Sequence, residues 1–395
     1  MPPRLAIWMI YGAIWRSGRS GTWIALVELG TDVQRWREEV AQTEGERPRA
    51  LLISFAPGIG DVVIMEPLIR SIRRYRPEWM LTIVGREFTS DLLGLDGCRL
   101  ISPFYFVAEA PAALRPLQRF IPQRLFAKAA EPAINMGAGG FDRVINLFWI
   151  WETTVPFELW WTPQWPTIEG VKNAVDLLAD SLQSELGIEI PYEERLPRLD
   201  TFPDGECWAE QYLMDQSLLH CPTAAIVVSA DNPLKWWEVD KWADLNDWLI
   251  RMGWRTIMVA PREHLHARRV FDTCVHKPLW PVLDLRKLVA LLARIDLVVG
   301  IDTGPLHIAG ALGKPWVGIF GPSNPDLIGP YDRSRGRAIV ARFSKPPSCK
   351  DCWTCFKGWG GKCLTLPKTG CTTMIPVEEV VDAILSVCCG TPFAS

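Results

Sequence analysis

The segment "DLVVGIDTGPLHIAGALGKPWVGIF", residues 296–320, restricts the accessible folds more than any other stretch. "DLVVGI" and "PWVGIF" are short continuous apolar runs of the kind that fill buried strands, and "GPLHIAGALG" between them reads as a helix. Strand, helix and strand in immediate succession argue a parallel sheet covered by helices. The first strand runs into an unusual turn, in which an acid, a hydroxyl and a glycine (Asp302, Thr303, Gly304) precede a helix carrying His307.

The same alternation recurs along the chain. "LLISFA" at 51–56 is a buried-type strand, closed by "PGIGD" and followed by a helix from residue 62; "MLTIVG" at 80–85 and "DRVINLF" at 142–148 continue the series. Near residue 200 "RLDTFPDGEC" breaks the pattern, and a helix then leads to a second alternation. "AAIVVS" and "RTIMVA" read as strands, "EVDKWADLNDWLIRMG" and "LRKLVALLARI" as helices, and "PVEEVVDAILSV" at 376–387 as a closing helix. A chain of 395 residues exceeds what one core usually serves. The expected class is therefore α/β, with two Rossmann-like doubly wound domains at 49–200 and 201–395 behind an amino-terminal extension of residues 1–48.

Composition excludes several classes. Hydrophobic residues at 48% and charged residues at 22% argue against disorder, and a net charge of -3 gives no general attraction to nucleic acid or anionic lipid. The longest apolar candidate, "LAIWMIYGAIW" at 5–15, is too short and interrupted to cross a bilayer. With the turn cluster "RSGRSG" and "TWIALVEL" it reads as a hairpin rather than a signal peptide, and "TDVQRWREEVAQTEGERP" reads as a short polar helix and linker. A cytoplasmic chain without a transmembrane helix is expected. A tryptophan-rich run beginning at Trp149 suits either core packing or a surface facing sugar or lipid, so peripheral contact at the inner membrane face stays open.

Ligands of open parallel sheets bind beyond the carboxyl ends of the strands, where both unusual turns fall. In "IDTGP", Asp302 or Thr303 can be an ordinary helix cap. Alternatively, Gly304 admits a ligand close to the backbone, Pro305 sits harmlessly in the first turn, and the helix amino terminus with His307 nearby favours a diphosphate. "PGIGD" shows Gly58 and Gly60 as in a dinucleotide fingerprint, but Val63 occupies the third glycine position, which weakens a hydride-transfer reading. Asp61 remains, as a helix cap or as a general base. Cys349, Cys352, Cys355, Cys363 and Cys371 crowd one segment. Their spacing suits a structural iron or zinc ion held first by Cys352, Cys355 and Cys371, with free thiols or disulfides as the other readings.

"SFAPGIGDVVIMEPLIRSIRR" and "LVVGIDTGPLHIAGALGKPWVGIFGPSNPDLIGPY" together resemble the two hallmark segments of glycosyltransferase family 9, the ADP-heptose:lipopolysaccharide heptosyltransferases. Weaker similarity runs from about residue 50 to 387. The resemblance implies a GT-B architecture and an inverting transfer without a catalytic cofactor or metal, in keeping with the lack of an Asp-x-Asp pair. It implies a nucleotide-sugar donor, and a glycolipid or protein acceptor. The family's catalytic carboxylate falls on Asp61 in the acceptor-side loop with Gly58 and Gly60; the donor turn falls on Asp302, Thr303, Gly304, Pro305 and His307. The lysine that contacts donor phosphates falls on Lys235, following Ser229, and the ribose-binding glutamate on Glu263. Some autotransporter-directed members hold iron with carboxyl-terminal cysteines, which links the cysteine segment to that subfamily. Two other functions fit a chain of this kind: a nucleotide-sugar epimerase of similar fold, and a non-catalytic binding or assembly protein.

Overall fold

A computed structural model describes residues 49–53, 58–84, 88–95, 98–101, 143–146, 172–340 and 371–389. The expected hairpin and polar helix of residues 1–48, the tryptophan-rich run, and Cys349, Cys352, Cys355 and Cys363 lie outside these residues. The chain divides into two units, residues 1–55, 78–87 and 97–146 in the first and 56–77, 88–96 and 147–395 in the second.

The first unit contributes a parallel sheet of β1 (Arg49–Ile53), β2 (Met80–Val84), β3 (Arg99–Ile101) and β4 (Arg143–Asn146), in the order β3-β2-β1-β4. Arg49 pairs with Met80 on one side of β1, and Ala50 with Arg143 on the other. Leu81, Ile83 and Ile145 are buried, as continuous apolar runs in parallel sheets require. The short β3 was not expected from the sequence.

The second unit begins with α1 (Ile59–Tyr75) and α2 (Thr89–Leu92), followed by α3 (Ala174–Leu186), α4 (Tyr192–Arg195) and α5 (Pro203–Asp215). Its sheet is formed by β5 (Thr223–Val227), β6 (Arg255–Val259), β7 (Leu297–Ile301), β8 (Trp316–Phe320) and β9 (Gly336–Val340), all parallel in the order β6-β5-β7-β8-β9. One face of this sheet presents Ala224, Ile226, Met258, Val299 and Ile319 to a core shared with α6 (Val239–Arg251), α7 (Leu265–Thr273) and α10 (Val377–Cys389). Trp237 and Trp242 are completely buried in that core, ring edge against ring face at 5.1 Å. The opposite face carries Gly318 against Leu306 of α9 (Gly304–Ala311), and α8 (Leu285–Arg294) packs beside α5, where Gly205 leaves room for the backbone of Arg286. Helices on both faces fulfil the doubly wound expectation for this sheet.

Three features correct the reading of the sequence. "RLDTFPDGEC" is irregular only as far as Phe202: Pro203 opens α5, a first-turn position at which its missing N–H costs nothing. Helix α1 starts at Ile59, so the glycine turn supplies its cap and first turn. Strand β9 and helix α7 are additional elements.

Gly336 pairs in register with Trp316, and a Cβ at 336 would lie 1.9 Å from the indole. Trp316 is almost fully buried and donates from Nε1 to the Asp332 carbonyl at 3.2 Å. Gly336→Ala must displace that ring, so we expect a loss of about 2–3 kcal/mol, typical of overpacking. A urea midpoint unchanged from wild type would show that β9 yields without cost.

Candidate functional site

The carboxyl ends of β5, β7 and β8 converge on one side chain. Asp302 follows β7 directly, is 3% exposed, and accepts at Oδ2 from Lys235 Nζ (2.7 Å) and Ser323 Oγ (2.6 Å). Its Oδ1 lies 3.5 Å from His307 Nε2. Lys235 Nζ also donates to the Asp302 carbonyl at 3.0 Å. The lysine is held in place because Asn232 caps the short 3-10 turn Pro233–Lys235, its side chain accepting from Leu234 N at 3.0 Å. Burial alone would push the Asp302 carboxyl upward; Lys235 and His307 outweigh it and hold the group well below the ordinary carboxylate range.

Neither Asp302 nor Thr303 caps α9 with its side chain. Thr303 is the N-cap residue in extended backbone, but its hydroxyl donates back to the Ile301 carbonyl at 3.3 Å. Asp302 is committed to Lys235 and Ser323. Pro305 occupies the first turn, and the amino terminus of α9 therefore lacks a side-chain cap.

The glycine turn of α1 packs against this group. A Cβ at Gly60 would lie 2.8 Å from His307 Cδ2, and one at Gly304 would lie 2.6 Å from Ile59 Cβ. Only glycines permit this approach. Asp61, at the third helical position, accepts from Gly58 N at 2.9 Å, so the capping role is real. Its residue keeps some surface, yet the carboxyl group is enclosed, and burial raises its pKa. The Gly58 bond and the charges of His307 and Lys235 reduce the rise, and Asp302 adds to it.

Residues 129–353, more than half of the chain, match the family model for glycosyltransferase family 9 (heptosyltransferase). The chain belongs to glycosyltransferase family 9. Lipopolysaccharide heptosyltransferase 1 of Salmonella typhimurium is 28% identical over 132 residues, covering 31% of this family 9 chain and 42% of that protein. The alignment thus spans less than half the length of this curated relative. A family 9 glycosyltransferase structure from Veillonella parvula superposes with a TM-score of 0.63 at 19% identity, covering 88% of this chain and 99% of its own. The iron-containing dodecameric glycosyltransferase TibC of enterotoxigenic E. coli superposes at 0.52 with 15% identity, covering 87% of this chain and 76% of its own. These likenesses establish the fold.

Other expected site residues of this family 9 chain are placed differently. Ser229 lies just beyond β5, half-buried, and Glu263 is exposed in the turn before α7. Among the described residues neither hydrogen-bonds to the Asp302 group. Trp236 stacks on His266 at 4.8 Å and 21°. His266 is pushed down to about 4 by burial and by the neighbouring His264. Cys371 is buried with its Sγ near Gly321, and Thr372 Oγ1 donates to the Trp236 carbonyl at 2.6 Å. The cysteine segment thereby ends beside the lysine turn. Among the described residues no cluster of His, Cys, Asp or Glu could hold a metal. Ser323 was missed by sequence reading; its only signal is its place in "GPSNPD" just past β8.

A raised carboxyl pKa means that the folded chain keeps a proton the unfolded chain has already released. Stability contributed by Asp61 therefore falls as pH rises from the unfolded value through the folded one. Asp61→Asn keeps an acceptor for Gly58 N–H and removes the penalty. We expect a higher Tm than wild type at neutral pH, with the gap closing below about pH 4. Thermal unfolding across that range checks this, and a lower Tm for the variant at neutral pH would contradict it.

Proposed function

We propose that this family 9 chain is an inverting glycosyltransferase that moves a heptose from ADP-heptose to a hydroxyl of a lipopolysaccharide core or a protein. The observation that carries the reading is the contact of the Asp61 turn with the Lys235, Asp302 and His307 group. A proton acceptor and an anion cradle at van der Waals range suit a displacement with two charge centres. Asp61 takes the acceptor hydroxyl proton as oxygen attacks the anomeric carbon. Its raised pKa makes it a stronger base than an exposed aspartate.

On the other side, departure of the nucleoside diphosphate builds negative charge. The remaining N–H of Lys235 and the uncapped start of α9 at Thr303, Gly304 and Pro305 stabilise that charge in place, which is why the transfer is proposed to need no metal. Ser229 and Glu263, past the ends of β5 and β6, are proposed to reach the phosphate and ribose. The reading includes the GT-B arrangement, with domains at 49–200 and 201–395 facing across a cleft, acceptor on the first and nucleotide on the second. It places the enzyme in the cytoplasm against the inner membrane face; no helix among the described residues is long and apolar enough to cross a membrane.

The name of the Salmonella relative supports lipopolysaccharide as acceptor and heptose as sugar. Two measurements test the proposal. A thermal-shift panel should show ADP stabilising the chain more than UDP or GDP, and Asp61→Ala should abolish transfer while ADP still binds. Normal turnover by that variant removes Asp61 as the base.

The cysteine segment is proposed to hold a structural iron or zinc ion through Cys349, Cys352, Cys355 and Cys371, with Cys363 as an alternate ligand. Two facts support this: TibC is iron-containing, and Cys371 is buried rather than displayed. Elemental analysis of protein purified without added metal should find about one ion per chain. Metal-free protein of full activity would reject it.

A further inference from the structure

Ser323 has no role in the mechanism above, yet it is 1% exposed and its hydroxyl is spent on one atom, Asp302 Oδ2. That same oxygen accepts a hydrogen bond from Lys235 Nζ. The carboxylate of an aspartate turns about a soft terminal torsion, so its plane is set by its partners, and at Asp302 the third of these, His307 Nε2, stands off Oδ1 at a loose 3.5 Å. Two donors on one oxygen, from loops after different strands, fix that plane.

The consequence falls on the lysine. Nζ carries three N–H groups, and two of them are bound to Asp302, one to the carboxylate and one to the carbonyl. Those two bonds set the direction of the third, and the lysine side chain retains 19% exposure through which a ligand can meet it. Freed from Ser323, Oδ2 could rotate and take Lys235 with it.

We propose that Ser323 is a positioning residue: by pinning Asp302 Oδ2 it aims the remaining N–H of Lys235 at the diphosphate of the donor. This rests on the reading of the site as one for a nucleoside diphosphate sugar. The test is a double-mutant cycle on ADP affinity, measured by calorimetry on the full chain with wild type, Ser323→Ala, Lys235→Gln and the double variant.

Ser323→Ala should weaken ADP roughly tenfold to a hundredfold, the range of one hydrogen bond to a charged group. In the Lys235→Gln background the same change should have almost no effect, because the group it aims is gone. A general loosening of the fold would weaken ADP equally in both backgrounds, and that result overturns the proposal. So does a Ser323→Ala protein that binds ADP like wild type, an outcome that leaves the donor reading standing. If wild type itself fails to bind any nucleoside diphosphate, the donor reading falls and takes this role with it.

Discussion

The buried pair of Asp302 and Lys235 is the contact on which the rest of the site depends. A carboxylate almost withdrawn from solvent at the end of a strand is costly unless charge and hydrogen bonds compensate it. The compensation comes from Lys235 in the loop after β5, Ser323 in the loop after β8 and His307 on α9, so the carboxyl ends of β5, β7 and β8 must converge. An ion pair of this kind adds little net stability against an apolar substitute. What it provides is direction: a cation held at one point, beside an uncapped helix start.

The second constraint is an absence of side chains. Gly60 and Gly304 let the first turn of α1 approach His307 and the first turn of α9 far more closely than any Cβ would allow. Asp61 is thereby brought within the electrostatic reach of Lys235, His307 and Asp302. Its carboxylate has two uses, since it closes the cap on Gly58 and faces the charged group. The two aspartates end with opposite protonation tendencies: Asp302 is held ionised by a direct ion pair, whereas at Asp61 burial outweighs the Gly58 hydrogen bond and the charges of His307 and Lys235. Separated tendencies of this sort are what acid–base chemistry at one pH requires.

Much of the architecture was legible in residue order. Buried parallel strands read as unbroken apolar runs, and β5, β7 and β8 stand within a residue or two of where those runs lie. Strand β9 was not legible, because "GRAIV" carries an arginine, follows a polar stretch and is only partly buried at the sheet edge. Pro203 and the glycines before Asp61 look like breaks but serve as helix starts, since the first turn of a helix needs no donor from its leading residues.

Order along the chain by itself determined the α/β class, the two unusual turns, and the candidates Asp61, Asp302 and His307, whereas Lys235 was marked only by the resemblance to family 9. Periodicity and turn chemistry are short-range, so they survive in a linear reading. Only the tertiary structure decided which oxygen Lys235 holds, that Ser323 shares it, and that the two aspartates shift in opposite directions. Lys235 and Asp302 are 67 residues apart in the chain. Their interaction, and the exclusion of water around it, exist only once packing has brought distant loops to the same edge of the sheet.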